Sequence, residues 1–293
     1  MFKGSITALI TPFKNGKIDE NRLKANVEFQ IKNKTAGLLP CGTTGESPTL
    51  SHEEHKRVIE LVVKAAKGRV PVMGGTGSNS TEEAVELTKF AKKIGCDAAL
   101  LVAPYYNKPT QKGLYLHFKT IAEAAKLPIM LYNIPGRTGV TIEASTMAKL
   151  HENCKNIFGV KESTGSLDFA SQVMAACGRD FCMMSGDDSL TLPIMSVGGT
   201  GVISVISNLV PGQVAAMTAA YAAGDFAKAL EIYYELFPLI KGAFIETNPI
   251  PIKTALMLAG MDTGEMRLPM CALEEANISK LKEIVAKYVQ VKK

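Results

Sequence analysis

The sequence predicts an α/β protein: a (β/α)8 TIM barrel followed by a C-terminal helical region. Three observations carry that reading. Eight short runs are continuously apolar rather than alternating, as strands buried on both faces are. Amphipathic stretches separate them, and the strand-to-strand repeat of roughly 20 to 33 residues is that of β/α units. No GxGxxG fingerprint is present: the nearest candidate, GTGSNS at 75–80, lacks the third glycine, which favours a closed barrel over a doubly wound dinucleotide-binding sheet.

In chain order the runs are ITALI (6–10), GLLPC (37–41), VPVMG (70–74), AALLVA (98–103), PIMLY (128–132), IFGVK (157–161), FCMMS (181–185) and GVISVI (201–206). Helical patterns lie between them, among them HEEHKRVIELVVKAAK at 52–67 and STEEAVELTKFAKKIG at 80–95. Both open with N-cap chemistry. Ser51 precedes the first, and Ser80 with Glu83 three residues on fits a capping box. After Gly224 the strand signals stop. Segments 225–240, one starting near Asn248-Pro249, and 273–289 read as helices. The expected division is a catalytic barrel over 1–224 and a helical domain over 225–293. No low-complexity linker separates them, so the second should pack against the first.

The 293 residues suffice for a large core without disulfides or metals. With 46% hydrophobic and 21% charged residues, the composition excludes disorder and a fibrous repeat. The net charge of +5 is spread out, which suits small anionic substrates and argues against nucleic acid. No apolar segment approaches the roughly 18 residues of a membrane span. The N-terminal MFKGSITALITPF lacks the apolar region and cleavage site of a signal peptide. Six cysteines, at 41, 96, 154, 177, 182 and 271, form no CxxC pair. They read as scattered reduced thiols of a cytoplasmic protein.

Barrels of this class react at the C-terminal ends of their strands. The candidates are therefore Thr43, Thr44 and Glu46 after the second run, Tyr105 and Tyr106 after the fourth, and Tyr132 and Arg137 at the end of the fifth. Lys161 ends the sixth, Ser185 to Asp188 follow the seventh, and Ile203 lies in the eighth. Lys161 is the most informative, because it closes an apolar run at a position that should point inward. Burial disfavours an ammonium, and a neutral amine attacks a ketone to form a Schiff base. The alternative is a lysine that snorkels to the surface. Tyr132 is either a proton carrier or a core aromatic with a satisfied hydroxyl. The CGTTGE turn could hold a carboxylate on its backbone N–H groups and two hydroxyls, or be a plain turn. Arg137 could grip a second carboxylate bidentately, or be a solvated loop residue. The segment His52-Glu53-Glu54-His55 sets its histidines three apart instead of four, and no third ligand follows, so no metal is expected. SVGGTGVIS at 196–204 leaves a phosphorylated substrate open, although glycines needed for tight packing would look the same.

Taken jointly, GSITALITPF, CGTTGESPTL, GGTGSNST, PYYNKPTQKGL, YNIPGRTG, GVKESTG, GGTGVISV and ETNPIPIKTAL resemble, in order and nearly end to end, the dihydrodipicolinate synthase / N-acetylneuraminate lyase family. Within it, the double-threonine turn and Arg137 in PGRTG resemble the synthase branch. Sialic acid lyases tend to lack this Arg and to carry Ser-Thr in the turn. The resemblance implies condensation of pyruvate with L-aspartate 4-semialdehyde, opening diaminopimelate and lysine biosynthesis, with no metal or organic cofactor. It implies that Lys161 forms the imine with pyruvate, and that Tyr132, Thr43 and Tyr106 form a proton relay. Tyr106 would enter from a neighbouring subunit of a homo-oligomer, a tetramer built as a dimer of dimers. Thr44, Ile203 and Gly186 would line the substrate site, and Arg137 would bind the carboxylate of the semialdehyde. Feedback inhibition by L-lysine is also implied, at a site of Ser47, His52, His55, Asn79, Glu83 and Tyr105. The bland reading of His52 and His55 is a solvent-facing helix start. Pro48 departs from the regulated pattern, in which Ala is common. The runner-up activity is another pyruvate-imine aldolase, cleaving a 2-keto sugar acid such as N-acetylneuraminate. A non-catalytic small-molecule sensor on the same barrel is a further alternative, against which the intact Lys161, Tyr132 and Thr43 set argues.

Overall fold

The computed structural model describes residues 2–291. Eight parallel strands form the barrel: Gly4–Ala8, Gly37–Leu39, Met73–Gly75, Ala98–Val102, Ile129–Asn133, Ile157–Glu162, Cys182–Ser185 and Gly201–Ser204. The first strand pairs with the second and with the eighth, the latter in the register Ile6↔Ile203. A bridge between Leu38 and Val72 joins the second strand to the third and closes the ring. Each apolar run thus holds a strand, shifted by a few residues. The third is the most displaced, starting three residues into its run, because Pro71 has no N–H to give and contributes only its carbonyl, which accepts from Leu38 N at 3.0 Å.

Alternation along these strands sorts the side chains. Ile6, Ala8, Leu39, Met73, Ala98, Leu100, Met130, Tyr132, Met184 and Ile203 make one buried cluster inside the barrel. Their neighbours, such as Leu38, Ala99, Leu101, Leu131, Val160 and Met183, pack outward against the helices in a second cluster. Burial on both faces explains the continuously apolar runs.

The helix His52–Ala66 begins with a complete capping box: Glu54 N donates to Ser51 Oγ, and Ser51 N to the Glu54 carboxylate. Thr81–Lys93 differs from its expectation. Ser80 Oγ accepts from Glu83 N, but the Glu83 carboxylate does not return to the cap. It is engaged by Ser78 Oγ and by His52 Nε2 at 3.1 Å. A two-stranded hairpin, Phe13–Lys14 with Lys17–Ile18, turns through Asn15 and Gly16, both at positive φ. It lies outside the sequence-based expectation, because strands of two residues leave no periodicity to read.

Beyond the barrel come Phe226–Gly242, Ile250–Leu258 and Glu275–Val285. They share a buried cluster with Ile10, Val202 and Val205, so the C-terminal helices close over the first and eighth strands. Among the described residues no helix is long and apolar enough to cross a membrane.

Candidate active site

Strand alternation decides which way Lys161 points. Val160 and Glu162 belong to the outer face, so Lys161 faces inward, where it stands in register with Tyr132 on one side and Met184 on the other. It is 5% exposed, and its Nζ lies 4.3 Å from the centroid of the Tyr132 ring. Among the described residues no carboxylate forms an ion pair with it. The snorkelling alternative is excluded by that burial. A lysine held in an apolar barrel beside a phenol has the environment an imine-forming amine needs.

Gly186 makes room for this side chain. A Cβ there would stand 2.9 Å from Lys161 Cε and would overlap Ser163 Oγ. Ser163 Oγ is itself buried with no hydrogen-bond partner among the described residues. Sequence reasoning missed Ser163, since a serine in a strand-end loop gives no pattern. Behind it, Glu162 Oε1 accepts from Thr164 N at 2.6 Å and Oε2 from Asn133 Nδ2 at 3.1 Å, and burial pushes the Glu162 carboxyl up. The loop after Gly186 is fixed by Asp188. Its carboxylate accepts from Ser204 Oγ and from Val205 N at 2.9 Å, and burial raises its pKa to about 6.

Above the strands opens a cavity of about 350 Å³, lined by Thr43, Ser47, Tyr105, Tyr132, Arg137 and Asn248, with Cys41, Leu100, Val102 and Ile134 among its apolar walls. Lys161, Thr44, Gly186 and Ile203 are not among its lining residues. Lys161 adjoins it through Tyr132, and Ile203 is fully buried in the same inner cluster as Tyr132. Thr44 is 2% exposed, and its hydroxyl accepts from Asn248 Nδ2 at 3.1 Å. Arg137 sits in the short helix Pro135–Thr138, and its Nη2 donates to Asn248 O at 2.9 Å. Asn248 therefore ties the threonine turn to the arginine, and its Oδ1 is buried without a partner among the described residues. It comes from the C-terminal region, 204 residues from Thr44, so no local signal announces it.

Two predicted sets behave differently. Tyr106 is 91% exposed at φ 73°, and within one chain it does not reach the cavity. His52, Asn79, Glu83 and Tyr105 do meet. Glu83 binds His52, and Asn79 Nδ2 donates to Tyr105 O at 3.3 Å. Burial, and then the Glu83 charge, raise the Tyr105 phenol pKa. Ser47 lies beside them in the cavity wall. His55 turns away: it is 8% exposed, its Nε2 contacts Gly75 O at 2.7 Å, and burial holds its pKa down.

Comparison with known proteins gives one consistent answer. The model of the dihydrodipicolinate synthetase family matches residues 1–288. A 4-hydroxy-tetrahydrodipicolinate synthase of Endomicrobium trichonymphae is 55% identical over 283 residues, covering 97% of each chain. The structure of a dihydrodipicolinate synthase from Cyanidioschyzon merolae with lysine bound is 41% identical, with a TM-score of 0.95 over 98% of each chain. A dihydrodipicolinate synthase variant described as monomeric is 40% identical, with a TM-score of 0.96 over 98% of this chain and 97% of its own.

Proposed function

The chain belongs to the dihydrodipicolinate synthetase family, and from that membership we infer the part each residue of the barrel mouth plays. The enzyme condenses pyruvate with L-aspartate 4-semialdehyde to give 4-hydroxy-tetrahydrodipicolinate, at the entry to diaminopimelate and lysine biosynthesis. The relatives' names carry this activity, and not cleavage of a 2-keto sugar acid.

In our reading, the Lys161 amine attacks the ketone carbon of pyruvate, water leaves, and an imine forms. The iminium is an electron sink, so a methyl proton departs and an enamine results. The enamine carbon attacks the aldehyde, forming the carbon–carbon bond. The semialdehyde's own amine then adds to the imine carbon and displaces Lys161, closing the ring. The net balance is one water released and the lysine regenerated. Each step moves a proton, and Tyr132, Thr43 and a Tyr106 from a neighbouring subunit carry it. Such general acid–base work contributes about 10²–10⁴ in rate. Thr44 and the turn hold the pyruvate carboxylate, with Ile203 and Gly186 shaping the space around it. Arg137 holds the carboxylate of the semialdehyde.

Lysine feedback at the His52–Glu83 cluster and a tetramer of paired dimers complete the proposal. The cluster's assembly from two helix starts supports the first, and the solvent-facing Tyr106 supports the second. Six free thiols, four of them buried, fit a reducing compartment, and we assign the enzyme to the cytoplasm.

The observation that carries the mechanism is the buried Lys161 nitrogen 4.3 Å from the Tyr132 ring. Borohydride with pyruvate should add one pyruvate-derived mass, on the peptide holding Lys161. A label on a different lysine, or none, removes the mechanism.

A further inference from the structure

The threonine turn is held from outside by a buried ion pair. Gly45 N donates to Gly42 O and Glu46 N to Thr43 O, each at 3.1 Å, so the turn's own bonds are two short loops. The turn ends on Glu46 at φ 54°, the left-handed region that a residue with a Cβ adopts only at a cost. Left alone, this backbone would relax. The Glu46 side chain is 2% exposed, and its Oε1 accepts from Lys253 Nζ at 2.6 Å. Lys253 is fully buried in the helix Ile250–Leu258. Its Nζ also donates to Thr11 O at 3.1 Å and stands 4.5 Å from the Phe13 ring centroid. Thr11 in turn grips the turn itself, donating from Oγ1 to Gly45 O at 2.7 Å. Glu46 Oε2 accepts from Arg267 N at 3.2 Å. A carboxylate three residues beyond Thr43 is thus fixed from two C-terminal segments, while the first strand's exit loop holds both Lys253 and the turn's backbone.

A buried ion pair is a poor device for stability alone. Desolvating both charges cancels much of the attraction, and an apolar pair of the same volume is often as stable. What the pair adds is direction: a charge-assisted bond with one short geometry. We propose that Lys253, through Glu46, is a positioning residue that holds Thr43 and Thr44 in their reactive placement. The proposal rests on the reading above that these threonines serve proton transfer and carboxylate binding. It makes the C-terminal helix part of the catalytic apparatus, although Lys253 is not among the cavity's lining residues and the Glu46 carboxylate is spent on Lys253 and Arg267.

The test is kinetic. Lys253→Met is made in the wild type and in Thr43→Val, and Glu46→Gln/Lys253→Met provides a neutral pair of similar volume in both backgrounds. A misplacement of about 1 Å costs on the order of a hundredfold in rate. In the wild-type background kcat should therefore fall about tenfold or more, while KM for the semialdehyde, set at Arg137, stays within about threefold. In Thr43→Val the same change should lower kcat little further, because the proton-carrying hydroxyl is already gone, and what remains, through Thr44, should appear in KM for pyruvate. Lys253→Arg, which keeps the charge, should recover part of the loss. Equal losses in both backgrounds, or wild-type kcat in the folded double variant, would overturn the proposal. If Lys253→Met fails to fold with its glutamate uncompensated, the neutral pair decides alone. Borohydride trapping on wild type keeps the two questions apart. No trapping removes the imine mechanism, whereas trapping with unchanged kcat in the variants removes only the positioning role.

Discussion

Lys161 owes its inward placement to one step of strand alternation. Glu162 beside it faces the outer layer and is spent on Asn133 and Thr164, whereas Lys161 faces Tyr132 across the strand pair. Arg137 is built differently. One of its nitrogens is committed to Asn248 O, which aims the guanidinium from the lip of the cavity and leaves its remaining donors for a ligand. Losing a charge-assisted contact to a carboxylate costs about 1.5–3 kcal/mol net. Arg137→Ala should accordingly raise KM for the semialdehyde roughly tenfold or more, and KM for pyruvate far less. Steady-state kinetics with each substrate varied in turn checks this. Equal rises for both substrates would make the arginine a structural residue. At this scale the sequence was legible where a reactive type ended an apolar run. Lys161 and Tyr132 stand out for that reason, and Thr43 because it follows such a run closely. Asn248, Ser163 and the Glu46–Lys253 pair do not, because their meaning lies in contacts to residues distant in the chain or in an atom left unpaired.

Elements meet where their ends do, and helix starts are the informative ends here. The starts of His52–Ala66 and Thr81–Lys93 are joined by His52 and Glu83, and the loop carrying Tyr105 covers them. The Ser80–Glu83 pattern reads as a capping box, yet the glutamate serves Ser78 and His52 instead. A spacing rule sees the local partner and cannot see the competing one across the loop. In the proposed feedback site this diverted carboxylate would anchor the lysine ligand. An incoming ammonium must either replace His52 on Glu83 or share the carboxylate with it. Initial rates at subsaturating pyruvate should therefore fall with millimolar L-lysine, and Glu83→Gln should weaken that inhibition at least severalfold. Wild-type rates indifferent to lysine would leave the cluster as a purely structural contact. His55 makes a poorer probe than His52: with its ring on Gly75 O, a substitution there disturbs the third strand as well.

At the scale of the whole molecule the barrel was the most legible feature, because eight doubly buried strands are long-range facts written in short runs. The C-terminal segments were legible as helices packed against the barrel, but not which strands they close over. Of the three hydroxyls in the proposed relay, only that of Tyr106 stands away from its own chain's cavity. Tyr106 is held at a left-handed φ with 91% of its surface open, although a large aromatic gains from burial. If a neighbour supplies it, each catalytic site draws Lys161 from one subunit and Tyr106 from another. Tyr106→Phe and Lys161→Arg subunits should then each be nearly inactive alone. Mixed across a two-fold interface, they place the intact lysine and the intact tyrosine together in one site of every heterodimer, and both lesions in the other. Random equal mixing yields half heterodimers, so activity should return to about a quarter of wild type. Mixed oligomers verified by native mass spectrometry that stay inactive would count against the shared site. So would full activity in a variant that sedimentation shows to be monomeric, since each barrel would then complete its own relay.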